Sequence, residues 1–268
     1  MMTRFDKMHG LGNDFVVLDA RTRPLAMTTS RARAIANRRT GIGCDQLILL
    51  EASRIADTKM RIYNADGGEV EACGNAARAI ALLLGKPSTI ETLGGTIRTE
   101  PGNAAATVDM GEPRFDWQDI PLDYAMDTTA LPLAWEGLAN PAAVNVGNPH
   151  AIFFVDDCQA IDLERLGPLI EHDQVFPDRI NVNVASVRNR EHIDLRVWER
   201  GVGLTRACGT GACATAVAAI RRGLVDARVT VGLPGGDLII AWQKGQTIQM
   251  AGPATHVFTG EIDLDDFG

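Results

Sequence analysis

Short apolar runs recur along the chain, separated by polar, glycine-containing or proline-containing breaks. Brief runs of this kind read as strands. Longer runs with apolar positions three and four apart read as helices. Strands are expected at 15–18, 46–50 and 60–63, and again at 152–155, 182–187 and 193–198. Helices are expected at 30–38 and 75–84, and again at 163–171 and 210–221. Further strand-forming segments close each series, at 96–99 and 104–110 and at 228–231 and 238–242. The same order of elements is written twice.

The sequence itself repeats with that order. Residues 72–75 read ACGN and residues 207–210 read ACGT, so Cys73 and Cys208 stand 135 positions apart (208 − 73). At the same offset MRIYN (60–64) falls on LRVWE (195–199), Gly12-Asn13 on Gly147-Asn148, Gln46 on Asn181 and Gly68 on Gly203. Several ungapped matches at one offset indicate two homologous halves. The segment 113–141, rich in proline and acidic residues, is where the chain passes between them. Domains are therefore expected at 1–118 and 119–268.

The helix beginning after each of these cysteines is apolar on nearly all sides. AARAIALLL carries one charge and CGTGACATAVAAI carries none. Such a helix must be covered on nearly all sides. The expected fold is α+β, with two homologous, pseudo-symmetric domains, each a curled, mostly antiparallel sheet around one central buried helix.

Composition narrows the function. In 268 residues, 46% are hydrophobic and 22% charged, an ordinary globular balance. The net charge of −8 argues against a nucleic-acid partner. No stretch reaches the ~20 apolar residues of a membrane span. The start, MMTRFDKMHGLGNDF, lacks the apolar core of a signal peptide, so a cytoplasmic location is expected. The five cysteines, 44, 73, 158, 208 and 213, are then thiols. There is no C-x-x-C, and no metal site is expected. GLGND and GIGCDQ do not complete a dinucleotide-binding fingerprint.

Candidate chemistry centres on Cys73 and Cys208. Each stands where a helix begins and is followed by glycine (Gly74, Gly209). A helix N-terminus lowers a thiol's pKa and binds carboxylates. Across an interdomain cleft, one thiolate could remove a proton from a carbon while the other thiol returns one to the opposite face. Helix amides would stabilise the carbanion, so no cofactor is needed. The offset-matched polar residues Asn13/Asn148, Gln46/Asn181 and Asn64/Glu199 suit the lining for a zwitterionic amino acid. Glu199-Arg200 breaks the symmetry, since Asn64-Ala65 stands opposite, and could grip the distal groups of a longer substrate. A solvated pair at a strand end is the plainer alternative. His150, after Asn148-Pro149, either tunes a thiol or is a structural histidine. Cys44, Cys158 and Cys213 are expected to be core or surface residues.

The segments KMHGLGNDF, GIGCDQ, YNADGGEVEACGNAAR, GNPHA, NVNV and ERGVGLTRACGTGACA resemble the diaminopimelate epimerase family over nearly the whole chain. The resemblance implies interconversion of LL- and meso-2,6-diaminopimelate without pyridoxal phosphate, in lysine and peptidoglycan precursor synthesis. It implies catalytic roles for Cys73 and Cys208 and auxiliary roles for His150 and Glu199. Substrate-contacting positions carry over to Asn13, Gln46, Asn64, Gly74, Asn75, Asn148, Asn181, Glu199, Arg200, Gly209 and Thr210. It further implies a homodimer and a last strand that packs back on the first domain. One departure is Ala76, where the family often has glycine. A proline or hydroxyproline racemase on the same architecture is the sibling alternative. A thiol-redox or metal-binding module is the alternative of a different class.

Overall fold

The computed structural model describes residues 2–71, 73–103 and 105–267. The chain forms two compact units. The first holds residues up to Asp109 and from Ala251 onward, and the second holds Met110–Met250.

The first unit contains β1 (Met2–Gly10), β2 (Asn13–Asp19), α1 (Thr29–Ala36), β3 (Gln46–Glu51), β4 (Thr58–Asn64), β5 (Glu69–Val70), α2 (Gly74–Leu84), β6 (Ser88–Thr92), β7 (Gly95–Pro101) and β8 (Ala105–Asp109). In the second unit lie β9 (Ala134–Trp135), β10 (Leu138–Ala139), β11 (Ala142–Asn145), β12 (Pro149–Phe154), α3 (Leu163–Glu171), β13 (Asn181–Asn189), β14 (His192–Glu199), β15 (Gly203–Thr205), α4 (Gly209–Arg221), β16 (Arg228–Leu233) and β17 (Gly236–Ala241). β18 (Gln249–Pro253) carries the chain back, and β19 (Thr255–Asp263) belongs to the first unit.

Within each unit the pairing follows one plan. β1 runs antiparallel to β2, β2 parallel to β3, β3 antiparallel to β4 and β4 parallel to β6, with β6 antiparallel to β7. The strands β11, β12, β13, β14, β16 and β17 repeat that succession of directions. Register is repeated as well. Phe15 stands opposite Gln46 in the first unit, and His150 opposite Asn181 in the second, each 135 positions later.

The central helix of each unit explains the curl. α4 touches β11 and β17, the two ends of that succession, and the strands between them. Only a sheet bent around the helix can do this. Gly209, Gly211 and the alanines and Thr215 of α4 are buried, and their small side chains let the backbones approach. In the first unit α2 packs against β1, β7, β8 and β19. Its Arg78 is fully buried, and the guanidinium donates to Asn75 Oδ1 at 2.8 Å.

Several expectations shift. Met110 opens the second unit. The Met110 N–H reaches Ile248 O, Arg114 pairs through its backbone with Asn145, and the Phe115 ring meets Trp242 edge-on. The last strand lies on the first unit, paired antiparallel with β1 from Met2–Asp263 inward. Sequence patterning missed β1, β6, β11 and β19. β1 and β19 carry charged residues among apolar ones, and β19 is largely exposed. The helix expected to Arg38 ends at Ala36, because Asn37 turns extended and its Oδ1 accepts the N–H groups of Arg39 and Thr40. The strand expected at 104–110 begins at a residue outside the described ones and is seen as β8.

The glycines of GIGC have a packing role. A Cβ on Gly41 would lie 2.2 Å from Ala34 O and 2.5 Å from Ile35 O, at the end of α1. Gly41→Ala should therefore destabilise the protein by about 1–3 kcal/mol, the cost of overpacking against backbone. Denaturant unfolding of wild type and variant measures it, and equal midpoints would remove the close-approach explanation.

Candidate active site

Each cysteine of the repeated pair caps its helix. Cys73 is extended (φ −146°, ψ 111°) ahead of α2, and its Sγ accepts the Ala76 N–H at 3.5 Å. Cys208 is extended (φ −123°, ψ 106°) ahead of α4, and its Sγ accepts the Gly211 N–H at 3.4 Å. In both, sulfur fills the place a Ser or Asp oxygen usually takes at an N-cap. Gly74 and Asn75, and Gly209 and Thr210, form the first turns.

Around Cys73 the lining is amide-rich. Asn13 Oδ1 takes a hydrogen bond from Asn75 Nδ2 at 3.2 Å and lies 3.8 Å from Cys73 Sγ, which donates to it. Asp45 Oδ2 accepts from Asn13 Nδ2 at 3.1 Å, which fixes the amide with its oxygen toward the thiol. Asp45 is in turn bound by Arg38, which also grips Asp14 beside Lys7. Burial works to raise the Asp14 pKa, but hydrogen bonds from Arg38 and Lys7 outweigh it and hold the carboxylate well below its usual range. Gln46 Nε2 donates to Asn64 Oδ1 at 3.0 Å, while Gln46 Oε1 is buried without a partner. An unpaired buried acceptor is costly and suits a ligand donor.

Around Cys208 the lining is charged and more deeply buried. Cys208 is 3% exposed. Its Sγ lies 3.5 Å from Thr210 Oγ1, and the Glu199 carboxyl acts on the thiol electrostatically. Glu199 Oε1 accepts from Thr205 Oγ1 at 2.6 Å. Burial, and then the Glu199 charge, push the Cys208 pKa well above the usual thiol range. That corrects the expectation that the helix terminus would lower it: loss of water outweighs the amide contacts. Burial also raises the Glu199 pKa.

The turn after β14 is held by Glu171, a residue that sequence reasoning passed over. This carboxylate accepts from Trp198 Nε1 at 2.7 Å and from the Gly201 N–H at 2.9 Å. Asn181 Oδ1 accepts the Arg200 N–H at 3.0 Å, while Asn181 Nδ2 donates to Pro149 O. Arg200 is exposed, and its Nη1 donates to Asp178 O at 2.9 Å. Asn181 thus acts through backbone, holding the Arg200 turn against the start of β12.

His150 is fully buried. Its Nε2 lies 3.0 Å from Asn148 Oδ1 and its Nδ1 3.3 Å from Asn183 Oδ1. Cys44, Cys158 and Cys213 are buried, and burial pushes Cys44 up to about 12. Among the described residues no helix is long and apolar enough to cross a membrane, and no group of three or more His, Cys, Asp or Glu side chains could hold a metal ion.

Burial lowers the His150 pKa from 6.5 to about 4, with Asn183 opposing and Arg200 assisting. The folded state therefore favours the neutral ring. Its contribution is present above the unfolded pKa and is lost as pH falls from 6.5 through about 4. Wild type should lose about 3 kcal/mol more than His150→Gln across that window. Denaturant unfolding at stepped pH tests this, and parallel pH profiles for the two proteins would refute it.

With this geometry in view, the chain was compared with known proteins. A family model described as diaminopimelate epimerase matches residues 5–116 and 142–257. The diaminopimelate epimerase of Sphingopyxis alaskensis is 64% identical over 268 residues, covering all of both chains. Among solved structures, a phenazine biosynthesis protein of the PhzF family from Enterococcus faecalis superposes with a TM-score of 0.73 at 12% identity, covering 98% of this chain and 100% of that one. A hydroxyproline epimerase from Agrobacterium vitis gives 0.67 at 14% identity, covering 97% and 91%. These two likenesses establish the fold. The repeated capping cysteines, the family match in both halves and the full-length relative agree: the chain belongs to the diaminopimelate epimerase family of isomerases.

Proposed function

We propose that this chain interconverts LL- and meso-2,6-diaminopimelate by a two-thiol, two-base proton transfer at Cα. The observation that carries this reading is the pair of cysteines, each capping a buried helix at the same place in a repeated unit.

The chemistry follows from the caps. One sulfur, as thiolate, takes the Cα proton and becomes a thiol. The electron pair left on Cα spreads into the adjacent carboxylate. The other sulfur, as thiol, gives its proton to the opposite face and becomes the thiolate. The N–H groups at the starts of α2 and α4 suit the charge that develops on the carboxylate. The reading needs no metal and no organic cofactor.

The two sulfurs are not equivalent at rest. Burial and Glu199 favour the protonated form of Cys208. Cys208 is then the acid in the direction in which Cys73 removes the proton. In the reverse direction Glu199, whose charge acts on it, is the auxiliary group that receives the thiol proton. Asn13, Asn64, Asn75, Asn148 and the unpaired Gln46 Oε1 supply neutral donors and acceptors for an amino-acid end. Arg200, exposed on a turn anchored by Asn181 and Glu171, is the group for a distal carboxylate in this reading. The reading extends to a homodimer in the cytoplasm, serving lysine and peptidoglycan precursor synthesis.

Incubation of LL-diaminopimelate in deuterated water tests the core claim. Deuterium should enter Cα as the meso isomer forms. Cys73→Ala and Cys208→Ala should each abolish epimerisation while melting near wild type, since an inversion needs a proton removed and a proton returned. Normal epimerisation by either folded variant would sink the mechanism. Arg200→Lys keeps the charge but loses the fork, and KM for diaminopimelate should rise at least about tenfold. Unchanged kinetics would make Arg200 a surface residue only.

A further inference from the structure

Asn183 lies on β13 in the core of the second unit, with no exposed surface. The repeat places apolar Ile48 at the matching position of β3. A buried amide in place of an isoleucine is retained only if its polar atoms are used. All of them are. Asn183 Nδ2 donates to Gly211 O at 3.1 Å and to Thr215 Oγ1 at 3.1 Å, both on α4. Asn183 Oδ1 lies 3.3 Å from His150 Nδ1 on the neighbouring β12.

These contacts leave the amide one orientation. Gly211 O can only accept, so the NH₂ group must face α4 and the oxygen must face the imidazole. A ring nitrogen opposite a carbonyl oxygen carries the proton. In the neutral ring His150 is then protonated on Nδ1, and Nε2 holds a lone pair. Nε2 lies 3.0 Å from the position assigned to Asn148 Oδ1. Both nitrogens of a neutral ring cannot donate, and Gly211 O pins the Asn183 amide, so it is the Asn148 amide that turns end for end and presents its NH₂ group to Nε2, its oxygen away from the ring.

We propose that Asn183 is a positioning residue. It fixes the tautomer of His150 and, through it, the orientation in which Asn148 offers a carbonyl oxygen to the substrate. The same amide ties this relay to the first turn of α4, which Cys208 caps. The last link, contact between Asn148 and substrate, rests on the function proposed above. The links from α4 to Asn148 do not.

The experiment reads the tautomer directly, on ligand-free protein at pH 7.5. Nitrogen-15 shifts of the His150 ring are assigned by comparison with His150→Gln. Wild type should show a protonated Nδ1 and an unprotonated Nε2. Asn183→Leu, which copies the apolar character of the first unit, should lose that pattern and shift toward protonated Nε2. Asn183→Asp keeps the acceptor and should retain a protonated Nδ1. Steady-state kinetics on LL-diaminopimelate should then show KM raised about tenfold in Asn183→Leu, the value of one misdirected hydrogen bond, with a smaller change in kcat. A wild-type ring protonated on Nε2 alone would overturn the proposal, even if Asn183→Leu fails to fold. An Asn183→Leu protein with the wild-type nitrogen pattern would overturn it too. A correct tautomer in a protein that does not turn over diaminopimelate would refute the substrate assignment and leave the relay standing.

Discussion

Everything in the site depends on one requirement: a helix with no polar side must be enclosed, and its first amides must still find acceptors. Enclosure is met by bending a sheet until strands from both ends of the repeated pairing order touch the helix, as β11 and β17 do around α4. The first turn cannot be covered in the same way without stranding its N–H groups. A cysteine sulfur takes the N–H three residues on in both units. The atom that completes the helix is also the atom that can exchange a proton, so structural and chemical demands converge on one side chain.

The repeated frame is filled differently in its two copies. The first unit surrounds its thiol with neutral amides steadied from outside by Asp45, Asp14 and Arg38. The second sets a half-buried carboxyl, Glu199, beside its thiol, and puts His150 and Asn183 where the repeat has Phe15 and Ile48. Burying polar groups without water is tolerable only when they satisfy one another. The hydrogen bonds among Asn148, His150, Asn183, Gly211 and Thr215 meet that condition. Asymmetry between equivalent sites is what a substrate with unlike ends demands.

Much of this was legible in the residues, for identifiable reasons. The offset of 135 marked Cys73, Cys208, Gln46, Asn181, Asn64 and Glu199, because residues that line equivalent places are held in register by the strands beneath them. The two apolar helices announced the wrapped sheet. What escaped was whatever depended on partners far along the chain. β1 and β19 look unremarkable alone, since their ladder is made only when the two ends of the chain meet. Glu171 gave no local signal, because its role is to hold Trp198 and Gly201, residues distant in sequence. Asn183 stood within the quoted NVNV, but as an inward polar residue between two valines its use was invisible until α4 was placed against it. The Cys208 pKa went the other way from expectation because burial is a tertiary quantity.

The pairing of Met2 with Asp263 has a consequence for the order in which the protein can be made. The second unit is one uninterrupted stretch of chain, and all its strands have left the ribosome once residue 250 is clear. The first unit begins earlier but lacks its closing strand until residues 255–263 emerge. Its β1 must wait with one edge unpaired through most of translation, and an unpaired edge invites wrong partners. Closing so long a loop is also slow compared with local pairing. The half of the molecule made first is therefore the half finished last, and its Cys73 thiol gains its completed surroundings only once β19 has emerged.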